Sequence, residues 1–221
     1  MASGRTLLPR LTVLISGRGS NMEALLSACN SGALSAEIGC VISNRADAGG
    51  LKTARDHDIE TAVVPHTEFP TRDDFDRALA ARVLQSDPEL VVLAGFMRIL
   101  GVSFLDHFDG RLMNIHPSLL PKYPGLNTHQ RAIDNGDRHG GATVHYTTGE
   151  LDGGPPIIQA REPIGPDDNA DALAARVLRL EHSIYPLAVQ WHVTGRLDYN
   201  GGEPLLDGEP LPETGYLWQS Q

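Results

Sequence analysis

An asparagine and a histidine two residues apart stand where a short strand-like segment meets a proline-rich loop. They belong to the run Asn114-Ile115-His116-Pro117. Residues two apart on a strand point to the same side, so the amide of Asn114 and the imidazole of His116 are expected to face one crevice. Two such groups side by side can donate hydrogen bonds to a developing oxyanion. A lone histidine, by contrast, is more often a surface or satisfied core residue.

A carboxylate followed by two glycines forms the second motif, Glu150-Leu151-Asp152-Gly153-Gly154-Pro155. Asp-Gly is a common turn pair, so an ordinary surface turn explains the same residues. The functional interpretation is that Asp152 orients His116 and favours its protonated form. That interpretation requires the fold to bring the two side chains together.

A glycine-containing loop, Ser16-Gly17-Arg18-Gly19-Ser20-Asn21, lies between a predicted strand and a predicted helix. Glycines let the backbone approach a ligand, and the free N–H groups of the next helix favour an anion. No Gly-Lys-Ser/Thr follows, and Met22 occupies the third glycine position of a dinucleotide fingerprint. The loop therefore fits a phosphate monoester better than a dinucleotide. A tight turn before a helix capped by Ser20 and Glu23 explains it equally well.

The other reactive side chains form no constellation that suggests a second chemistry. There is no HExxH motif, and His139 and His145 lack a helical ligand spacing, so no metal site is predicted. There is no GxSxG elbow, and the two cysteines, Cys29 and Cys40, are interpreted as buried thiols. The histidines interpreted as surface or packing residues are His57, His66, His107 and His192.

The elements that would position these motifs alternate between strands and helices in the first half of the chain. The predicted strands are residues 11–16, 37–43, 61–65 and 90–94, and the predicted helices are residues 22–29, 50–57 and 71–85. Apolar strands without alternation are buried on both faces, which predicts a parallel sheet covered by helices. A doubly wound α/β sheet binds ligands at the carboxyl ends of its strands.

The second half of the chain predicts shorter strands and one long helix. The strands are residues 111–115, 142–146 and 157–162, with a loop over residues 117–127 that holds three prolines. The helix covers residues 169–193 and is expected to be interrupted by Pro186. From Gly195 the tail is predicted to form a hairpin or to drape loosely. With neither an internal repeat nor a linker, the chain is interpreted as one domain.

Composition limits the classes of function. The chain has 221 residues and a formal net charge of −10, which argues against nucleic-acid binding because phosphate contacts dominate that affinity. Apolar runs are far shorter than a membrane span, and residues 1–10 lack the apolar region of a signal peptide. The protein is therefore expected to be cytoplasmic, in a reducing compartment.

Five motifs in this order and spacing resemble those of the glycinamide ribonucleotide formyltransferases, a branch of the folate-dependent formyltransferases. They are SGRGSN, AGFMRIL, NIHPSLLPKYPGL, ELDGGP and EHSIYP, and the resemblance runs from about Leu11 to Arg196. The Asn-x-His and Leu-Asp-Gly-Gly motifs are shared by the whole family, whereas KYPGL and SGxGSN are specific to this branch. The resemblance implies a catalytic domain over residues 11–196, an N-terminal extension over 1–10 and a C-terminal tail over 197–221.

The resemblance also implies roles for individual residues. Asn114, His116 and Asp152 match the family's catalytic trio. The residues expected to hold the ribonucleotide are Gly19, Ser20, Asn21 and Glu181. The residues expected to contact the folate, partly through backbone groups that read the pterin, are Arg72, Met97, Arg98, Ile99, Leu100 and Asn114.

The activity implied by the resemblance is formyl transfer in de novo purine biosynthesis. The formyl group of 10-formyltetrahydrofolate, a co-substrate, passes to the neutral amine of 5-phosphoribosylglycinamide. Asn114 and protonated His116 stabilise the oxyanion, and Asp152 keeps His116 charged and aimed. The expected partners are small-molecule substrates only, with no nucleic acid, membrane or required metal, and the chain is expected to be a monomer or a homodimer.

Three other functions share parts of this pattern. A methionyl-tRNA formyltransferase carries a further basic RNA-binding domain, whereas here only about 25 residues follow Arg196, and that segment is acidic. A formyltetrahydrofolate hydrolase normally adds an N-terminal regulatory domain, which does not fit before Leu11. Loss of Asn114, His116 or Asp152 would favour a non-catalytic nucleotide-binding module, and all three residues are present. The chain departs from the family in its extra residues 1–10, in Asn127 where histidine is common, and in Leu178 where some relatives carry a polar residue near the nucleotide.

Overall fold

The computed structural model describes residues 7–219. The strands are β1 (Arg10–Ile15), β2 (Glu37–Ser43), β3 (Glu60–Val63), β4 (Leu90–Leu93), β5 (Leu112–His116), β6 (His139–Tyr146), β7 (Pro156–Pro163), β8 (Leu197–Asn200), β9 (Glu203–Leu206), β10 (Glu209–Pro210) and β11 (Tyr216–Trp218). The helices are α1 (Ser20–Ser31), α2 (Gly49–Asp56), α3 (Arg72–Leu84), α4 (Val102–Leu105), α5 (Thr128–Asp134) and α6 (Ala170–Val193), with a 3-10 turn at His66–Glu68.

Eight strands form one sheet in the order β11-β7-β6-β5-β4-β1-β2-β3. Among the described strands of this sheet, β6 runs antiparallel to β5 and β7, and the other pairings are parallel. The predicted doubly wound, mostly parallel α/β sheet is confirmed. Strand order reverses beside β1, which pairs with β2 on one side and β4 on the other. A crevice forms at such a switch point, and the segments that follow β1 and β4 border it.

Alternate residues of the central strands supply two apolar cores, one on each face of the sheet. Leu11, Val13 and Ile15 of β1 pack in one core, which α1, α2 and α6 cover. Leu14 of the same strand points into the other core, which α3 and α4 cover. These side chains are fully buried, which explains why the strands read as continuous apolar runs in the sequence.

Helix α6 is continuous through Pro186, so the predicted interruption is wrong. The proline removes one backbone hydrogen bond, but buried residues on both sides of it, Tyr185 and Ala188 among them, keep the helix packed on the sheet. The hydroxyl of Tyr185 also lies 2.9 Å from the carbonyl of Leu93 and 3.0 Å from that of Met113, which anchors α6 to β4 and β5. Among residues 7–219, no helix is both long and apolar enough to span a bilayer.

The chain after α6 is ordered into strands. β8, β9 and β10 form a separate antiparallel sheet, which agrees with the predicted hairpin, and β11 adds to the edge of the main sheet beside β7. Leu197 is buried and packs in the core that α6 covers. The division of the chain at residues 10 and 196 stays a prediction. Residues 1–6 of the predicted N-terminal extension lie outside the described residues.

Candidate active site

The amide and imidazole of the first motif lie on β5, as predicted. Asn114 is paired with Leu93 of β4 on one side and with His145 of β6 on the other, and His116 is paired with Thr143. Because β5 sits between two strands, its backbone is fixed by hydrogen bonds on both edges. The His116 side chain is 7% exposed, so most of the ring is removed from bulk water.

The turn that carries Asp152 brings its carboxylate to His116. The Oδ2 atom of Asp152 lies 3.4 Å from Nδ1 of His116 and accepts a hydrogen bond of 2.8 Å from the backbone N–H of Gly125. Asp152 has a positive φ of 51°. Two residues on, a Cβ on Gly154 would lie 1.8 Å from the carbonyl oxygen of Tyr146. The glycine pair therefore lets this turn press against the end of β6 and aim the carboxylate inward.

Both ring nitrogens of His116 face acceptors. Nε2 lies 2.9 Å from the carbonyl oxygen of Tyr123, to which it donates, and Nδ1 faces Asp152. These two acceptors hold the ring in one orientation. Tyr123 belongs to the proline-rich loop and has a positive φ of 58°. The loop therefore presents a backbone acceptor to the ring, a feature that side-chain motifs do not reveal.

His145 is the site residue that sequence reasoning missed. Its Nδ1–H donates to the carbonyl of Tyr146 at 2.8 Å, and its Nε2 accepts from Nδ2 of Asn114 at 3.1 Å. Burial lowers the pKa of His145 to about 4, so the ring is neutral and its acceptor nitrogen fixes the orientation of the Asn114 amide. Alternation of polar Thr143 and His145 with apolar neighbours on β6 is the pattern that could have indicated it.

We predict that His145 makes stability fall at mildly acidic pH. Its pKa is about 4 in the folded protein and 6.5 unperturbed, so the unfolded chain takes up a proton first as pH falls. The contribution of His145 to the free energy of unfolding is constant above about pH 6.5 and is lost between about pH 6.5 and 4. Roughly 2 kcal/mol of it is lost from pH 7 to pH 5. Urea unfolding at both pH values measures this loss.

His145→Gln, which carries no titrating ring, should lose roughly 2 kcal/mol less than the unmodified protein over that interval. The partly buried His129, His182 and His192, whose pKa values are also lowered by burial, remain in both proteins and cancel in the comparison. Equal pH dependence of the two proteins would show that His145 is not held neutral.

The loop after β1 turns directly into α1, whose N-cap is Gly19 at a φ of 83°. The predicted capping box of Ser20 and Glu23 is wrong: Ser20 is the first helical residue, and Glu23 N–H donates to the Gly19 carbonyl. The N-cap position requires glycine, because its φ is positive and a Cβ there would lie 3.2 Å from the Cα of Gly50. The loop borders a cavity of about 460 Å³, which is also lined by Arg45, His66, Gly95, Met97 and Arg98.

Two of the residues expected to hold the ribonucleotide, Asn21 and Glu181, contact each other. Nδ2 of Asn21 donates to Oε2 of Glu181 at 2.7 Å, which joins α1 to α6. Burial raises the pKa of Glu181, and the Asn21 hydrogen bond opposes that rise. Oδ1 of Asn21 is buried without a hydrogen-bond partner among the described residues. Glu181 is one turn before the anchored Tyr185, so its position on α6 is fixed.

The segment expected to contact the folate follows β4 and separates two cavities. Met97 and Arg98 line the cavity beside the loop that follows β1. Arg98, Ile99 and Leu100 line a second cavity of about 90 Å³. That second cavity is also bordered by Asn114, His145 and the residues 147–152. Arg72 lies beside the end of the segment, because a Cβ on Gly101 would meet its Nη2 at 2.8 Å.

The structure therefore brings the sequence motifs together in three groups: the trio, the Asn21–Glu181 pair and the segment after β4 with Arg72. Asn114 and Asp152 border the same cavity as Ile99 and Leu100, which joins the first group to the third. Among residues 7–219, no group of three histidine, cysteine, aspartate or glutamate side chains is placed to hold a metal ion.

The fold and the trio define a formyl transferase. The family model described as formyl transferase matches residues 9–189, and the chain belongs to this family. Its relatives include the phosphoribosylglycinamide formyltransferase of Escherichia coli (strain K12), 48% identical over 206 residues that cover 93% of this chain and 97% of the relative.

Solved structures agree with the sequence comparison. The phosphoribosylglycinamide formyltransferase of Coxiella burnetii is 50% identical and superposes with a TM-score of 0.93 over 96% of this chain and all of that one. The glycinamide ribonucleotide transformylase 1 of Symbiobacterium toebii is 40% identical, with a TM-score of 0.87 over 93% of this chain and 99% of that one. The family expected from the five motifs is confirmed.

Proposed function

We propose that the chain transfers the formyl group of 10-formyltetrahydrofolate to the amine of 5-phosphoribosylglycinamide, the reaction of a phosphoribosylglycinamide formyltransferase in de novo purine biosynthesis. The observation that carries the proposal is the assembled trio: an amide, an imidazole and a carboxylate meet at the carboxyl edge of the sheet. The relatives of Escherichia coli and Haemophilus influenzae and the solved structure from Coxiella burnetii, each matched over almost its full length, carry that name.

The reaction requires a site that stabilises a tetrahedral oxyanion. The neutral amine attacks the formyl carbon, a new carbon–nitrogen bond forms, and the carbonyl oxygen becomes negative. The bond from that carbon to N10 of the folate then breaks. The amine loses a proton and N10 gains one, so the products are formylglycinamide ribonucleotide and tetrahydrofolate. Asn114 and protonated His116 would donate to the oxyanion, where preorganised donors lower the barrier most.

Asn114 has a free donor for this task. One of its two amide protons is used by Nε2 of His145, and the other would be left for the oxyanion, since Asn114 lines the second cavity. In the described arrangement Nε2–H of His116 points to the Tyr123 carbonyl. We infer that, when the formyl oxygen is in place, Nε2–H of His116 donates to it beside or instead of the Tyr123 carbonyl, while Asp152 stabilises the charge on the ring.

The acceptor side of the site is proposed to be the loop after β1 together with α6. Gly19, Ser20 and Asn21 lie at the N-terminus of α1, where backbone N–H groups and the helix dipole favour a phosphate. Glu181, held by Asn21, is a natural acceptor for ribose hydroxyls. The unpartnered Oδ1 of Asn21 offers a further acceptor at the same place.

We predict that Gly19→Ala raises KM for the ribonucleotide more than KM for the folate. The methyl group would meet the Cα of Gly50 at 3.2 Å and strain the positive φ, which shifts the N–H groups that face the phosphate. Steady-state kinetics with each substrate varied in turn measure the difference. Gly32→Ala is the matched control: it has a φ of 78° at the other end of α1, with open space around it. Equal KM changes in both variants would make the Gly19 loop purely structural.

The folate side is proposed to comprise Asn114 and the segment after β4, with its neighbour Arg72. Residues 97–100 would read the pterin through backbone groups, as in the family they resemble. We further propose that the reaction needs no metal, that the protein acts in the cytoplasm as a monomer or homodimer, and that it engages neither nucleic acid nor membranes.

An acceptor comparison tests the proposed function. We expect glycinamide ribonucleotide to be formylated far faster than free glycinamide, because binding energy from the remote phosphate and ribose positions the amine. Methionyl-tRNA should not be formylated. Comparable rates on the dephosphorylated acceptor, or formylation of methionyl-tRNA, would contradict the acceptor and leave formyl transfer itself standing.

A further inference from the structure

The proposed folate-contacting segment, residues 97–100, has no regular secondary structure, yet side chains from elsewhere hold both of its ends. At its start, the Met97 N–H donates to Oγ of Ser16 at 2.8 Å. Immediately after it, the Gly101 N–H donates to Oδ2 of Asp76 at 2.8 Å. Ser16 is 8% exposed and Asp76 is 1% exposed, so bulk water competes little for either bond.

Asp76 is a carboxylate in an unusual place for helix α3. It is buried beside the apolar residues of that helix, its Oδ1 has no hydrogen-bond partner among residues 7–219, and its Oδ2 lies 3.6 Å from Nε of Arg72. Burial of a charged group is costly unless it is paired or hydrogen-bonded. The contact with Gly101 N–H gives this carboxylate a role that an apolar residue could not fill.

Gly101 is the residue that makes the contact possible. A Cβ there would lie 2.8 Å from Oδ2 of Asp76 and 2.8 Å from Nη2 of Arg72. Without a side chain, the backbone of Gly101 rests directly on the carboxylate and the guanidinium. Asp76 thus links the end of the segment to Arg72, which is itself a proposed folate contact.

Ser16 is arranged to act as an acceptor. Its hydroxyl proton is donated to Oδ1 of Asn44 at 2.6 Å, which leaves its lone pairs for the Met97 N–H. Asn44 is in turn held by a contact of 3.1 Å between its Nδ2 and Nδ1 of His66. These contacts fix the direction of the Ser16 hydroxyl. Ser16 also begins the loop proposed to bind phosphate.

We propose that Asp76 and Ser16 are positioning residues for the folate, which hold the two ends of the segment so that the backbone groups between them stay aimed at the folate cavity. The proposal rests on the proposed function. Within the described chain neither residue lines that cavity, so Ser16 acts through the segment, and Asp76 acts through the segment and the adjoining Arg72. A segment already held in its binding conformation pays less ordering cost when the ligand binds.

The test measures the Kd of tetrahydrofolate, the unreactive product, by titration calorimetry, and KM for both substrates. Asp76→Ala should raise the Kd about tenfold, the effect of losing one buried hydrogen bond, and leave KM for the ribonucleotide unchanged. Asp76→Asn keeps an acceptor oxygen for the Gly101 N–H and should recover most of the affinity. Ser16→Ala should raise the Kd by a similar factor, and it carries the test alone if Asp76→Ala does not fold.

Ser86→Ala is the matched control. Ser86 is a buried serine whose hydroxyl lies 2.6 Å from the Val83 carbonyl and 2.6 Å from Oγ1 of Thr12, away from the segment. It should lower thermal stability and leave the Kd unchanged. Unchanged folate affinity in Asp76→Ala and Ser16→Ala, an Asn variant as weak as the Ala variant, or an equal effect of Ser86→Ala would overturn the proposal. If the unmodified protein does not bind tetrahydrofolate, the proposed function itself fails.

Discussion

His116→Ala should lower kcat by roughly a hundredfold to a thousandfold while changing the binding of both substrates little. The imidazole is proposed to act on charge that develops only in the transition state, and loss of one oxyanion donor typically has this effect. The ring is enclosed between Asp152 and the Tyr123 carbonyl, so its removal leaves a small gap without a new contact for either substrate. Pre-steady-state kinetics at saturating substrate measure the chemical step.

His107→Ala is the control for this variant, because His107 is an exposed histidine outside the site. It should keep the turnover of the unmodified protein. Near-normal kcat in His116→Ala would remove His116 from the mechanism. A rise in both KM values with unchanged kcat would instead make it a binding residue.

Asp152→Asn should lower kcat by about tenfold to a hundredfold, because the carboxylate that faces the oxyanion donor His116 is lost. The variant keeps an oxygen that can accept from the Gly125 N–H, so the turn should stay in place, but it removes the negative charge that faces His116 at 3.4 Å. A carboxylate beside the ring stabilises the positive charge that the imidazole would carry as it donates to the oxyanion. Steady-state kinetics at saturating substrate measure kcat.

Asp137, a second carboxylate near the proline-rich loop, provides the control for Asp152→Asn. Asp137 accepts hydrogen bonds from Lys122 and Tyr123 of the proline-rich loop, so Asp137→Asn perturbs that loop without touching His116. It should have a smaller effect on kcat. A kcat for Asp152→Asn that matches the unmodified protein would break the proposed link between Asp152 and His116.

The layered fold was predictable because burial leaves a direct pattern in the sequence. Val13 and Val92 lie in strands that are buried on both faces, and such strands have continuous apolar runs. Short helices such as α4 and α5 span too few residues to show a period and were not predicted. Pro186 misled the prediction for α6, because tertiary packing on both sides of a proline can outweigh the hydrogen bond that it removes.

The trio was predictable from residue types and spacing, whereas its supports were not. The pairing of Asn114 and His116 follows from strand alternation, but the contact of His116 with Asp152 depends on a turn that Gly153 and Gly154 permit. The supporting roles of His145, Ser16 and Asp76 were not predicted, because the sequence does not mark which polar residues become buried against another segment. Their partners are a side chain of the neighbouring strand or backbone N–H groups, which sequence patterns do not specify.

The fate of a labelled formyl group tests the central claim most directly. The protein would be incubated with 10-formyltetrahydrofolate that carries ¹³C in the formyl group, together with glycinamide ribonucleotide, and the products followed by NMR. The proposed function predicts that the label appears in formylglycinamide ribonucleotide in step with the release of tetrahydrofolate, and that His116→Ala slows both equally. Label that appears as formate in place of the ribonucleotide, or that stays in the folate, would contradict it.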